Sequence, residues 1–230
     1  MEANKRIAVV TGGNKAIGLE ICKKLASNGV NVILTARDEK RGKEAVERLS
    51  IDYGLTNITF HQLDVTDPSS IETLAVFVKT KCGKLDILVN NAAIGGFELS
   101  KPIDEKKLNN EKLRNELKDI DNLTVERINN LAKSFLESVK DNTVEKIQWT
   151  DRFHAYSISK ILMNAYTRII AKSYPSVTIN CVNPGYVKTD LNFNTGALTV
   201  SDGAEGPAMV ALGEGGPTGQ FYDRTQISFF

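Results

Sequence analysis

The stretch RIAVVTGGNKAIG, Arg6 to Gly18, decides how the rest of the chain is read. Four consecutive apolar residues end at a pair of glycines, which is the pattern of a buried parallel strand. After the glycine turn, Ile17, Leu19, Ile21, Cys22 and Leu25 recur close to helical spacing until Ser27-Asn28-Gly29 stops them. A glycine-rich turn from strand to helix brings backbone N–H groups and a helix N-terminus up to a pyrophosphate. By itself such a turn is equally a tight bend with no ligand. Its place at the head of an alternating domain favours the phosphate reading.

Outward from that turn the alternation continues. NVILTA (31–36), NITFHQL (57–63) and LDILVNNA (85–92) read as strands, and the intervening segments as helices. Asp38 is the expected N-cap of the second helix. Strand–helix repetition at this pace implies right-handed βαβ units, hence an α/β Rossmann-type, doubly wound parallel sheet. Between Glu98 and Thr150 the character changes. A charged stretch leads to an amphipathic helix whose stripe is expected to be Ile128, Leu131, Ala132, Phe135, Leu136 and Val139. HAYSISKILMNAYTRIIAKSY (154–174) then reads as a long helix, VTINCVNPG (177–185) as a strand, and GQFY (219–222) as a short last strand. The 230 residues fit one Rossmann-type domain, 1–230, with a helical insertion at about 108–150.

Composition narrows the function. The chain is 41% hydrophobic and 25% charged, with a formal net charge of +1. There is no broad electrostatic reason to bind nucleic acid or a membrane surface. No apolar run approaches the roughly 18–20 residues of a membrane span. The N-terminus lacks the pattern of a signal peptide. Cys22, Cys82 and Cys181 are far apart and match neither a metal site nor a disulfide framework, so a reducing cytoplasm is the expected home. No metal is expected.

Two features carry chemistry. At the end of the second strand stand Ala36 and Arg37, where a binder of unphosphorylated dinucleotide places a carboxylate. A guanidinium there suits a 2′-phosphate, and Lys15 adds a second cation, which points to NADP(H). Tyr156 and Lys160 are spaced Y-x-x-x-K, about one helical turn, so both leave the same helix face. Taken alone, that pair is as well explained by an ordinary surface helix.

TGGNKAIG (11–18), LDVTD (63–67), NNAA (90–93), YSISK (156–160) and NPGYVKTD (183–190) occur in the order seen in short-chain dehydrogenases/reductases. More narrowly, LTARDEKRG and FHQLDVTD resemble the plant carbonyl-reductase branch, whose members act on ketones such as menthone and salutaridine. The resemblance implies that Tyr156 protonates a carbonyl oxygen as hydride arrives. Lys160 would lower the phenol pKa from about 10 and hold the nicotinamide ribose. It also implies cofactor contacts from Gly12, Asn14, Lys15, Ile17, Gly18, Arg37, Asp64, Val65, Asn90, Pro184, Gly185, Val187 and Thr189. Asp64 would accept from the adenine amino group, and Thr189 would hold the carboxamide or the phosphates. The implied substrate is a small lipophilic ketone or aldehyde, and the implied state a monomer.

The chain departs from that pattern. Ala16 stands at the loop's second glycine and Ala93 at the last residue of N-N-A-G. At a position needing φ > 0 an alanine costs on the order of 1 kcal/mol. The family's fifth strand and its catalytic serine have no counterpart, as though a block near residues 98–110 were left out. Ser134 and Ser138 are expected on the solvated face of their helix. The alternative reading is therefore a catalytically impaired NADP-binding member. Without the fifth strand, the fourth strand and the strand at 177–185 would have to pair directly or leave backbone groups unpaired.

Overall fold

A computed structural model describes residues 5–94, 110–144 and 154–228. The chain falls into two compact units. One comprises Met1–Ile94 with Pro184–Glu214, the other Gly95–Asn183 with Gly215–Phe230.

The first unit holds the alternating elements: β1 (Ile7–Val10), α1 (Ala16–Ser27), β2 (Asn31–Ala36), α2 (Glu39–Tyr53), β3 (Ile58–Gln62), α3 (Pro68–Lys81) and β4 (Ile87–Val89). A 3-10 turn (Asp190–Asn192) and α7 (Val200–Leu212) complete it. The strands form one parallel sheet in the order β3-β2-β1-β4. The two-residue period of a strand explains its two faces. Ala8, Val10, Val32 and Leu34 join Ile21 and Leu25 of α1, Ala45 and Leu49 of α2 and Ala204 of α7 in one core. Val9 and Ile33, one residue out of step, join Leu74 and Val78 of α3 in the other. This is the doubly wound sheet the alternation predicts.

Helix ends follow from local chemistry. Asp38 accepts from the Arg41 N–H at 2.9 Å, as expected for the cap of α2. Gly29, with φ +79°, turns the chain out of α1. Asp64, by contrast, caps no helix. Its Oδ1 accepts from Thr66 N and Thr66 Oγ1, and Asp67 caps α3.

The second unit carries α4 (Glu111–Lys118), α5 (Val125–Lys140) and α6 (His154–Ser173). They share a core of Leu113, Leu117, Leu131, Phe135, Ile158 and Leu162, among others. The stripe of α5 differs from expectation. Ile128, Leu131, Phe135 and Ser138 are the buried set, while Leu136 and Val139 are exposed. Ser138 is therefore not on the solvated face. It is buried and continues the 3–4–3 spacing, and its hydroxyl is satisfied by donating to Phe135 O at 2.7 Å. Ser134 is exposed, as expected.

A second sheet in this unit has β5 (Cys181–Asn183) parallel to β6 (Phe221–Asp223), with β7 (Gln226–Ser228) antiparallel to β6. The expected last strand at 219–222 is thus the start of a hairpin whose second arm, β7, the sequence reading missed. Between β4 and α6 the described residues, 110–144, hold helices and no strand. Of the two outcomes expected for β4 and the strand at 177–185, direct pairing is not the one found. β4 ends its sheet beside β1, and β5 finds its partner in β6. Leu88 in the middle of β4 is 54% exposed. The place near 98–110 where a block is expected to be absent lies almost wholly outside the described residues.

Candidate active site

The glycine turn is closed by steric necessity. Gly12 adopts φ +64°, and a methyl group on it would fall 3.1 Å from Ala92 Cα. A methyl on Gly18 would fall 2.4 Å from both Asn91 Nδ2 and Gly12 O, so the start of α1 sits directly against the turn. Ala16 has φ +46°, a left-handed conformation that favours glycine, at the position expected to be the loop's second glycine. Ala93 is not among the residues with positive φ, so its substitution carries no such penalty. Asn14 and Ile17 are half-buried in the turn and Lys15 is exposed.

The sequence reading missed the residue that fastens this turn. Asn91 Nδ2 donates to Thr11 O at 2.9 Å and to Gly12 O at 3.2 Å. The Asn91 and Ala92 N–H groups both donate to Thr11 Oγ1 at 2.9 Å. Asn90, the residue singled out, is exposed one position past β4. The signal available was the doubled asparagine itself, which leaves open which of the two faces the loop.

Arg37 is exposed at the end of β2. Asp64 sits near enough to feel its charge, but the main influences holding the Asp64 carboxyl below its ordinary value are the two hydrogen bonds from Thr66. Val65 is exposed beside it. The N–H of Asp64 is held by Ser70 Oγ, itself bonded to Gln62 Oε1.

In the segment from Pro184 onward, Gly185 has φ +83°. The Val187 side chain is taken up by packing: it is buried, and a methyl on Gly203 would meet its Cγ2 at 2.3 Å. Thr189 N donates to Asn192 Oδ1, and Asn192 Nδ2 donates to Val187 O at 2.8 Å. Lys15 Nζ lies 3.1 Å from Asp190 Oδ2.

In the second unit, α6 buries Ile158, Leu162 and Ala165 in the helical core. At 100° per residue, Tyr156 and Lys160 leave the helix on the side away from that stripe. Lys160 Nζ is 5.7 Å from the centre of the Tyr156 ring. Both are half-buried. Burial pushes the Tyr156 phenol above its ordinary value, so the expected lowering by Lys160 is not the effect that prevails. Burial likewise pulls the Lys160 ammonium down, and the opposing influence is the charge that Cys181 of β5 carries only when ionised. Cys181 is itself raised by burial and bonded to Thr167. Among the described residues no cluster of histidine, cysteine, aspartate or glutamate is arranged to hold a metal, and no helix is long and apolar enough to cross a membrane.

A doubly wound sheet with a glycine turn between β1 and α1, and a Y-x-x-x-K helix, defines a nucleotide-binding oxidoreductase. The short chain dehydrogenase family matches residues 6–197, and the chain belongs to the short-chain dehydrogenase/reductase family. It is 39% identical over 294 positions to a (+)-neomenthol dehydrogenase of Arabidopsis thaliana, covering 100% of this chain and 99% of that one. It is 36% identical to a salutaridine reductase of Papaver somniferum, covering 98% of this chain and 96% of that one. The solved structure of salutaridine reductase from Papaver somniferum superposes with a TM-score of 0.87 at 36% identity, covering 95% and 99% of the two chains. Menthone neomenthol reductase from Mentha piperita does so at 0.82 and 33%, covering 97% and 100%. An alignment of 294 positions against 230 residues leaves at least 64 positions of the Arabidopsis relative facing gaps, so the chain lacks an internal segment that its relatives carry.

Proposed function

We propose that the protein is an NADPH-dependent carbonyl reductase acting on a small lipophilic ketone or aldehyde. The observation that carries this reading is the pairing of Tyr156 with Lys160 on one face of α6, in a chain whose first strand ends in the family's glycine turn. The relatives named for neomenthol and salutaridine support the substrate class.

The donor set at the turn fits a dinucleotide. Helices α2, α3, α4, α5 and α7 each begin with a side-chain cap, but α1 begins at Lys15 with no side-chain cap and no acidic residue in its first turn. Its first N–H groups therefore suit an anion. A pyrophosphate would be held by this turn, with Gly12, Asn14, Ile17 and Gly18 forming it. Arg37 and Lys15 would meet the 2′-phosphate. The first carboxylate after β2, Asp38, is committed to capping α2, which leaves Arg37 to set the preference for the phosphorylated cofactor. Asp64, Val65 and Asn90 would line the adenosine half. Pro184, Gly185, Val187 and Thr189 would line the nicotinamide half, with Val187 contributing backbone.

The nicotinamide, when bound, supplies hydride to the carbonyl carbon. Tyr156 gives its proton to the carbonyl oxygen, and burial keeps the phenol protonated through neutral pH, as an acid requires. Lys160 holds the ribose and offers positive charge to the phenolate left behind.

A second reading rests on the absence, among the described residues, of a strand between β4 and α6. In it the chain binds NADPH without turnover, because a displacement of about 1 Å already costs catalysis heavily. Fluorescence titration with NADPH and NADH, followed by NADPH consumption across a panel of cyclic ketones, separates the two. Tight NADPH binding with ketone-dependent consumption supports the reductase. Binding with none supports the second reading, and no binding sinks both.

A further inference from the structure

Joining two loops 175 positions apart in sequence, the Lys15 ammonium donates to Asp190 Oδ2 at 3.1 Å. We propose that Asp190 is a positioning residue of the phosphate turn. Its carboxylate clasps Lys15 and so ties the glycine turn to the 186–198 loop before the dinucleotide arrives. The inference rests on the cofactor reading given above and adds to it a role for the last residue of NPGYVKTD, to which the resemblance gives none.

Both ends of the clasp are built on fixed backbone. Lys15 is extended, with φ −157°, directly before the left-handed Ala16. Asp190 opens the 3-10 turn, whose third residue, Asn192, is buried and bonded to Val187 O and Thr189 N. Val187 is in turn pinned under Gly203 and bridged to Leu198. Beyond the turn, Phe193 and Asn194 take φ +55° and +62°, an unfavourable pair of conformations for residues with side chains. The Asn194 side chain bonds to the Asp190 carboxylate, which also carries the Lys15 bond as its largest influence. The carboxylate is thus the common anchor of the strained loop tip and of the phosphate turn.

The pair is not there for global stability. Its side chains are 61% and 71% exposed, and exposed pairs contribute little to folding. The effect is local preorganisation, which reduces the ordering left for binding. An ammonium has three donors, and Asp190 engages one, so Lys15 can hold the carboxylate and a phosphate oxygen together.

The test compares Asp190→Asn and Asp190→Glu with the parent. Stopped-flow fluorescence reads NADPH dissociation, and amide hydrogen exchange on the cofactor-free protein reads residues 186–198 against α3 as an internal control. The clasp predicts that Asp190→Asn releases NADPH about two- to fivefold faster, the range an exposed ion pair supplies. It also predicts faster exchange at 186–198 with α3 unchanged, and return of both readouts toward the parent in Asp190→Glu. An Asp190→Asn variant that holds NADPH as tightly as the parent or tighter overturns it, because Asp190 is then idle or a competitor for Lys15. Unchanged exchange at 186–198 overturns it as well. Should the parent fail to bind NADPH, the cofactor reading falls, and the exchange result alone decides whether the clasp exists.

Discussion

Asn91 and Thr11 lock the ends of β4 and β1 together: Asn91 Nδ2 donates to Thr11 O at 2.9 Å, and Thr11 Oγ1 accepts from the Asn91 N–H at 2.9 Å. The glycine turn is therefore shaped from the β4 side as much as by its own glycines. Replacing Asn91 by Ala removes two side-chain donors and leaves the carbonyls of Thr11 and Gly12 unserved. The expected loss is about 1–3 kcal/mol in chemical denaturation. Asn90→Ala, at an exposed position, is expected to stay within about 0.5 kcal/mol of the parent. Equal losses at both positions would contradict this assignment.

The left-handed Ala16 makes an opposite prediction. With φ +46° it carries about 1 kcal/mol of conformational cost that glycine avoids, set against the greater freedom glycine has in the unfolded chain. Ala16→Gly is expected to leave stability unchanged or raise it by up to about 1 kcal/mol, and to bind NADPH at least as well. Ala93→Gly, where φ is not positive, should bring no such gain. Thermal unfolding of the two variants side by side checks the contrast.

Much of this was legible before the structure, and the reasons are physical. Continuous apolar runs such as Asn31–Ala36, bounded by turn residues, bury both faces, as a parallel strand covered on each side does. Asp38 before a charged helix is a cap for local reasons that need no tertiary information. What escaped was set by partners distant in sequence. The stripe of α5 turned because it packs on α4 and α6, which brought Ser138 inside and left Leu136 and Val139 out. The choice between Asn90 and Asn91, and the bond from Lys15 to Asp190, depend on which loops meet. The chemistry of Tyr156 was half legible. The spacing put it beside Lys160, but only the fold shows that burial sets the direction in which the phenol is shifted.

Ser138 offers a clean check on the missing serine. Its hydroxyl is buried in the helical core and donates to Phe135 O. Ser138→Ala removes that bond while improving helix propensity, and the helix itself still serves the carbonyl. Stability within about 0.5 kcal/mol of the parent and unchanged ketone turnover are expected. A large selective loss of turnover would show that Ser138 acts in the reaction.

Lys160 predicts a trade between stability and function. Burial lowers its pKa in the folded chain, so folding at neutral pH works against a charged ammonium. Lys160→Met is expected to unfold at a higher temperature at pH 7 while losing turnover. The stability gap should narrow as pH rises through the folded-state pKa toward the ordinary lysine value of about 10.4, because the parent then sheds the charge on folding. Denaturation of both proteins between pH 7 and 10 measures it. A gap that widens with pH would contradict the assigned cause.

The central claim is that Tyr156 is the proton donor of a ketone reduction driven by NADPH, and single-turnover kinetics of the parent and Tyr156→Phe with a lipophilic cyclic ketone test it most directly. The account predicts that the parent converts ketone to alcohol with loss of one NADPH. Tyr156→Phe should be slower by about 10²–10⁴-fold, the usual contribution of a positioned acid, with its NADPH affinity unchanged. A parent that binds NADPH and yields no alcohol, or a Tyr156→Phe variant as fast as the parent, would contradict it.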